Sequence, residues 1–99
     1  ALEAPAVARV RSETAGQGME VVAINVFPRY SLREWEEYWR SVGGGDALFA
    51  EDTKQRAVVA FKVRAAGTKI LINREGQITY RNSRTTTYEK LRSEVDKAL

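Results

Sequence analysis

The 99-residue chain contains no cysteine and no histidine. Without cysteine, it can form no disulfide and supply no thiolate. Without histidine, it lacks the usual acid–base residue near neutral pH and the commonest metal ligand. These absences exclude a zinc site and a Ser-His-Asp triad, and we expect no cofactor.

Long apolar runs are missing as well. No stretch approaches the roughly 18 residues of a membrane-spanning helix, and the chain has no signal-peptide pattern. Any anchor or leader would therefore lie outside these residues. The apolar fraction of 43% and the charged fraction of 29% are ordinary for a globular protein, and the length suits one domain spanning residues 1–99.

Basic residues are scattered among acidic ones along the chain, whose formal charge is +3. This pattern is typical of a solvated surface, and we expect no nucleic acid as a partner. The densest basic cluster, which has Glu89 and Glu94 interleaved, consists of Arg81, Arg84, Lys90 and Arg92. Nucleic-acid binding is accordingly the weakest of three functional hypotheses.

The chain opens with a helical pattern followed by a strand pattern. A helix is predicted over residues 1–14, because apolar side chains recur on one face and Gly16 and Gly18 end the pattern. The continuous, largely β-branched run at residues 19–26 predicts a strand covered on both faces, as in a parallel sheet.

A second helix is predicted to begin at Ser31, which has Glu34 at the spacing of a capping box. Its two tryptophans, Trp35 and Trp39, share the apolar face, so we expect them in the core rather than in a ligand platform. Residues 43–45 are three glycines and predict a helix stop. They make a poor phosphate loop because neither Lys-Ser nor Lys-Thr follows them.

A short strand at residues 47–50 leads into a helix that is predicted to run from the Asp52 cap through Phe61. Glu51 and Asp52 are the obvious pair of adjacent carboxylates for acid–base chemistry. Because Asp52 lies where a strand gives way to a helix, helix capping is the favoured interpretation.

The last third of the chain predicts a hairpin and a helix. Strands at residues 68–73 and 77–81 flank a turn at residues 74–76, which ends in a glycine. Thr86 and Glu89 have the spacing of a second capping box, which opens the terminal helix. The predicted apolar face of this helix consists of Tyr88, Leu91, Val95 and Leu99. The alternation of helices and strands predicts an α/β fold with parallel strands and a late antiparallel pair.

One segment, residues 63–78, carries a family resemblance. Its sequence, VRAAGTKILINREGQI, resembles V-R-G-x-P-T-x-F-L-I-D-R-x-G-x-I of the TlpA/ResA-like thiol-disulfide oxidoreductases, a branch of the thioredoxin superfamily. Residues 1–5, ALEAP, resemble the x-x-E-x-P that follows the family's CxxC motif. The resemblance implies a thioredoxin-like fold, with a central mixed sheet, helices on both faces and a C-terminal hairpin plus helix.

The resemblance also implies that a segment is missing. The family's CxxC motif would lie immediately before Ala1, and the strand that leads into it is the central strand of that fold. Without that strand, the predicted strand at residues 20–26 has no neighbour joining it to the hairpin, which leaves backbone groups unpaired. We therefore expect the parent protein to supply the strand and the motif, unless a partner chain fills the gap.

Gly67 departs from the family pattern, because the family has a cis-proline at this position. A cis bond before a residue other than proline costs about 2.5–4 kcal/mol, so we predict a trans Ala66–Gly67 bond. A substrate groove unlike the family's and an ordinary loop glycine are equally compatible with this residue. The resemblance implies an active-site rim made of Glu3, Ala66, Gly67 and Thr68, although an acidic side chain such as Glu3 suits any helix N-terminus.

The leading functional hypothesis is a thiol-disulfide oxidoreductase that acts on protein dithiols and disulfides in its intact form. The chain itself, having no cysteine, is expected to be inactive. The alternative is a non-catalytic thioredoxin-fold module that binds peptides or proteins. From the resemblance alone, we expect a location outside the cytoplasmic membrane.

Overall fold

A computed structural model describes residues 3–99, in which four α-helices and four short strands form a mixed α/β domain. Their bounds are α1 Ala4–Thr14, β1 Val22–Asn25, α2 Leu32–Ser41, β2 Leu48–Glu51, α3 Arg56–Ala60, β3 Lys69–Ile72, β4 Ile78–Asn82 and α4 Tyr88–Ala98. The predicted order of elements is confirmed across this range. The first two residues of the predicted first helix lie outside the described residues.

The four strands form two separate sheets. Strand β1 pairs in parallel with β2, and β3 pairs with β4 in an antiparallel hairpin. The α/β class, the parallel pair and the late hairpin are therefore confirmed. The single central sheet is not, because within residues 3–99 no strand joins β1 to β3.

The core lies where α1 and α4 pack against the hairpin. Val10 of α1 meets Leu91 and Val95 of α4, and all three side chains are buried. Full burial of one such side chain contributes about 1.5–3 kcal/mol to stability. Partly buried apolar side chains surround this cluster, namely Val7, Met19, Leu71 and Tyr88. The predicted apolar face of the terminal helix is thus confirmed at its first three positions.

Helix α2 begins with the predicted capping box. The Ser31 hydroxyl accepts a hydrogen bond from the Glu34 amide at 3.1 Å, and the Glu34 carboxylate accepts one from the Ser31 amide at 3.0 Å. Trp35 pins the helix to β1 by donating from Nε1 to the Ala23 carbonyl at 3.1 Å. Both tryptophans are partly buried, and both also line the open cleft described below, so they are not enclosed in the core as predicted.

Helix α3 is shorter than predicted. The α-helix begins at Arg56 instead of directly after Asp52, because Lys54 and Gln55 have positive φ and break it from the preceding turn. Asp52 still performs the predicted capping role. Its carboxylate accepts hydrogen bonds from the amides of Ala57 at 2.6 Å and Val58 at 3.0 Å.

Helix α4 is capped by Thr87, so the predicted capping box at Thr86 is wrong by one residue. The Thr87 hydroxyl accepts a hydrogen bond from the Lys90 amide at 3.2 Å. Thr86 is instead buried, with its hydroxyl 3.2 Å from that of Tyr80. Among the described helices, none has the length and apolar character needed to cross a bilayer.

Candidate functional site: an open cleft between the two sheets

A cleft of about 690 Å³ separates β1 from β3. Its walls are mainly apolar and extend along the whole length of both strands. The loop that leads into β3 borders it with Ala66, Gly67 and Thr68. The strand side chains that line it are Val22, Ile24, Ile70, Leu71 and Ile72.

The cleft explains why one prediction about β1 is wrong. The strand was expected to be covered on both faces, yet Val22 is 52% exposed and Ile24 is 37% exposed, while Ala23 and Asn25 are buried. Successive side chains of a strand point to opposite faces, and Val22 and Ile24 lie on the face that lines the open cleft. Ile72, on the opposite wall, is also 50% exposed. Apolar side chains left in water on facing strands are typical of a surface that binds a further apolar element.

Contacts at the two ends of the cleft show in which direction β1 and β3 run. Arg74, just after β3, donates from Nη2 to the Gln17 carbonyl at 2.7 Å, which puts the end of β3 beside the segment that leads into β1. Lys69, the first residue of β3, pairs with Glu3 at the start of α1. Strands β1 and β3 therefore run in opposite directions, and α1 begins at the end of the cleft where β3 begins.

The predicted rim residues lie together at that end. Glu3 forms an ion pair with Lys69, and their side chains are only 16% and 15% exposed. The Lys69 ammonium also donates to the carbonyls of Gly67 at 2.9 Å and Arg84 at 2.8 Å. A Cβ atom added to Gly67 would lie 3.8 Å from Glu3 Oε1. One lysine thus joins the start of α1, the rim loop and the segment before α4.

Sequence reasoning missed Lys69, which occupies a variable position of the family pattern. A lysine at the head of the otherwise apolar strand Lys-Ile-Leu-Ile was the available signal, because a charge there needs a partner. Its partner, Glu3, lies far away in the chain, so the pair could not be found from local spacing.

The conformation of the rim loop is now defined. Gly67 has φ of +84°, where a side chain is strained, and the Ala66–Gly67 bond is trans as predicted. The Thr68 hydroxyl donates to the Ala65 carbonyl at 2.7 Å, so it is engaged within the loop. These features show that the turn requires a glycine at position 67, which favours the loop-glycine interpretation. Gly67 nevertheless borders the cleft.

The chemistry available at this end comes mainly from the backbone. The first amides of α1 have no partner within the helix, and the helix dipole there favours an anion such as a thiolate. Within residues 3–99, no group of three or more carboxylates could hold a metal ion.

A second polar network lies away from the cleft, between α1 and α4. Tyr88 donates its hydroxyl proton to Glu13 Oε1 at 2.5 Å, and Arg92 donates to the same oxygen at 3.1 Å. The Tyr88 hydrogen bond, followed by the charges of Arg9 and Arg92, lowers the pKa of Glu13 despite some desolvation. In return, this hydrogen bond raises the pKa of Tyr88. The network supports the helix pair that carries the core.

No protein-family model matches the chain, and no curated protein matches it.

Proposed function

We propose that the chain is the greater part of a thioredoxin-like domain and that its intact form is a thiol-disulfide oxidoreductase of the TlpA/ResA-like branch. The observation that carries this proposal is the cleft between β1 and β3. It lies where the central strand of such a domain would pair with both sheets.

The lining of the cleft suits one β-strand, because it includes apolar side chains of both β1 and β3. Strands β1 and β3 have four residues each, so a strand of similar length could pair with both. A strand there would pair with both edges and cover Val22, Ile24 and Ile72.

The direction of such a strand follows from the position of α1. If it runs parallel to β1, it ends beside Glu3 and leads directly into α1. The strand, α1 and β1 would then form a parallel crossover unit, which is the usual way to connect neighbouring parallel strands. The last residues of the segment would meet the α1 N-terminus and the Gly67 loop.

A cysteine pair at this position would carry the chemistry. A thiolate stabilised by the α1 dipole attacks one sulfur of a substrate disulfide, and the other substrate sulfur leaves as a thiolate. The second cysteine then attacks the mixed disulfide, which releases the reduced substrate and leaves the enzyme oxidised. Glu3, held by Lys69, would lie within a turn of both sulfurs. The resemblance extends the proposal to protein substrates and to a location outside the cytoplasmic membrane.

The test begins with the coding sequence upstream of Ala1 and the intact mass of the natural gene product, measured with and without alkylation of its thiols. We expect a CxxC motif, two alkylatable thiols after reduction and insulin reduction that disappears when either cysteine is replaced by serine. A gene product that ends in the same 99 residues but lacks a cysteine pair would refute the oxidoreductase proposal.

The second candidate is a non-catalytic module that binds an extended peptide in the same cleft. It is favoured by the absence of a thiol from the chain and by the trans bond before Gly67. Adding peptides of strand-forming sequence to the 99-residue chain tests it. Trp35 lines the cleft, so its fluorescence should change when a peptide binds. A cysteine pair upstream of Ala1 would favour the enzyme instead.

A further inference from the structure

The charges of this protein are divided unevenly between its parts. Residues 53–88 contain eight Lys and Arg residues but one acidic residue, Glu75. The other 63 residues contain eight basic and twelve acidic residues. The scattered pattern that the sequence suggested therefore holds for the helices α1, α2 and α4 but not for the segment between α3 and α4.

The ion pairs in the structure follow the same division of charge. Basic residues of the long helices have acidic partners within 4 Å, for example Arg33 with Glu37 and Arg92 with Asp96. Among the described residues, no carboxylate forms an ion pair with any of four exposed residues on the other side: Lys62, Arg64, Arg81 and Arg84. We call these four residues the basic face.

The basic face adjoins the rim of the cleft. Arg81 donates to the carbonyls of Phe61 and Lys62, at 2.7 Å for the latter, which holds β4 against the end of α3. The Arg84 carbonyl accepts from Lys69, which also binds the Gly67 carbonyl. Residues of the basic face thus precede the loop that borders the cleft and contact the lysine that holds it.

An exposed apolar side chain lies beside these charges. Val59 is 73% exposed, and its carbonyl accepts a hydrogen bond from the Lys62 amide at 3.2 Å. The basic face therefore combines guanidinium and ammonium groups with an apolar contact point.

The backbone at Lys62 is unusual. Helix α3 ends in a Schellman motif, in which the Val63 amide donates to the Val58 carbonyl and Lys62 has φ of +53°. Helix α2 ends in the same motif, but there the equivalent residue is Gly43. Glycine is the residue that adopts this conformation without strain. Backbone geometry therefore does not account for a lysine at position 62.

We propose that the basic face binds an acidic segment of a partner protein beside the cleft. Guanidinium groups match carboxylates in two-point hydrogen bonds, and an unpaired cluster of one sign attracts the opposite charge before contact. The exposed aromatic rings of this molecule, Phe27, Tyr30 and Tyr38, belong to α2 and the loop before it. The basic face itself offers no ring for base stacking, so it suits a peptide better than a single-stranded nucleic acid.

This proposal names the class of partner that the protein binds. It rests on the proposed function only in treating that partner as the substrate. Binding itself needs no thiol. A cysteine-free peptide therefore tests the basic face alone, whereas insulin reduction tests the redox proposal alone.

The experiment measures the fluorescence anisotropy of a labelled, cysteine-free oligoglutamate peptide mixed with the intact gene product. The test variant is K62Q/R64Q/R84Q, which leaves Arg81 to hold the end of α3. The matched control, R33Q/K90Q/K97Q, removes the same number of positive charges from residues that have acidic partners. We expect the test variant to lose roughly tenfold or more in affinity and the control less than about twofold.

Two further measurements decide between specific docking and general attraction. The K62G variant should remain folded and should bind the peptide more weakly than the wild type does. Binding of the peptide to the wild type should weaken as salt rises from about 50 to about 200 mM. Equal losses in the test variant and its control would overturn the proposal, because net charge would then explain the binding. Tighter binding to oligothymidylate or to phosphatidylserine vesicles than to the peptide would also overturn it.

Discussion

Replacing Lys69 by methionine tests the clamp at the end of the cleft. The substitution keeps the length of the side chain but removes the ammonium that pairs with Glu3 and donates to the Gly67 and Arg84 carbonyls. Both charged side chains are more than four-fifths buried, so water can replace the lost interactions only in part. Leaving Glu3 without its partner then costs most of its desolvation free energy.

The magnitude follows from these contacts. A hydrogen bond to a charged group contributes about 1.5–3 kcal/mol, and a broken, fully buried pair costs about 3–5 kcal/mol. For this incompletely buried pair, we expect K69M to lower the free energy of unfolding by about 2–3 kcal/mol. In a domain of this size, that corresponds to a fall in Tm of roughly 10–20 °C.

Urea unfolding followed by the fluorescence of Trp35 and Trp39 measures the effect. A double-mutant cycle with E3Q isolates the ion pair, and we expect a coupling free energy above about 1 kcal/mol. K97M is the matched control, because Lys97 also pairs with a glutamate but is 69% exposed, and its cost should stay below about 0.5 kcal/mol. A K69M effect no larger than that of K97M would refute the clamp.

Three further substitutions test the local interactions that shape the fold. D52N weakens two hydrogen bonds to the start of α3 and should lower the free energy of unfolding by about 1–2 kcal/mol. Urea titration measures this effect, and an unchanged midpoint would contradict the capping role. K62G relieves the positive φ and should leave stability unchanged or raise it by up to about 1 kcal/mol, so clear destabilisation would contradict the account of the α3 end. Y88F removes the hydrogen bond that is the main cause of the lowered pKa of Glu13. A carboxylate with a lowered pKa stabilises the folded state above the ordinary glutamate pKa, and this contribution is lost as pH falls through the lowered value. The stability difference between wild type and Y88F should therefore be largest near neutral pH and shrink in acid, and a difference that grows in acid would contradict this assignment.

Features fixed by neighbouring residues could be predicted from the sequence. The Ser31–Glu34 capping box, the turn at Gly76 and the apolar face of α4 depend on short spacings, and the structure confirms each of them. The cap of α4 is predicted at the wrong threonine, because Thr86, unlike Thr87, has a glutamate three residues later. The contact that buries Thr86 against Tyr80 lies outside the helix and cannot be found from this spacing.

Features that depend on distant residues could not be predicted in this way. The length of α3 depends on positive φ at Lys54 and Gln55, which no propensity favours. The exposure of β1 on one face depends on what packs against it in three dimensions, whereas its sequence shows only that the strand is apolar. The pairing of Lys69 with Glu3 depends on how α1 meets β3 in three dimensions.

The start of α1, the Lys69–Glu3 ion pair and the Gly67 loop lie together at one end of the cleft. The site is therefore more than a gap between the two sheets. A strand added to the cleft would supply the pairing that β1 and β3 lack, and it would end where Lys69 already holds α1 to the Gly67 loop. The clamp does not depend on the strand, because its contacts form among residues 3–99. The described residues therefore position the rim by themselves. A reactive group carried on the added strand would meet that rim with little further ordering, which is the condition for an accurately positioned site.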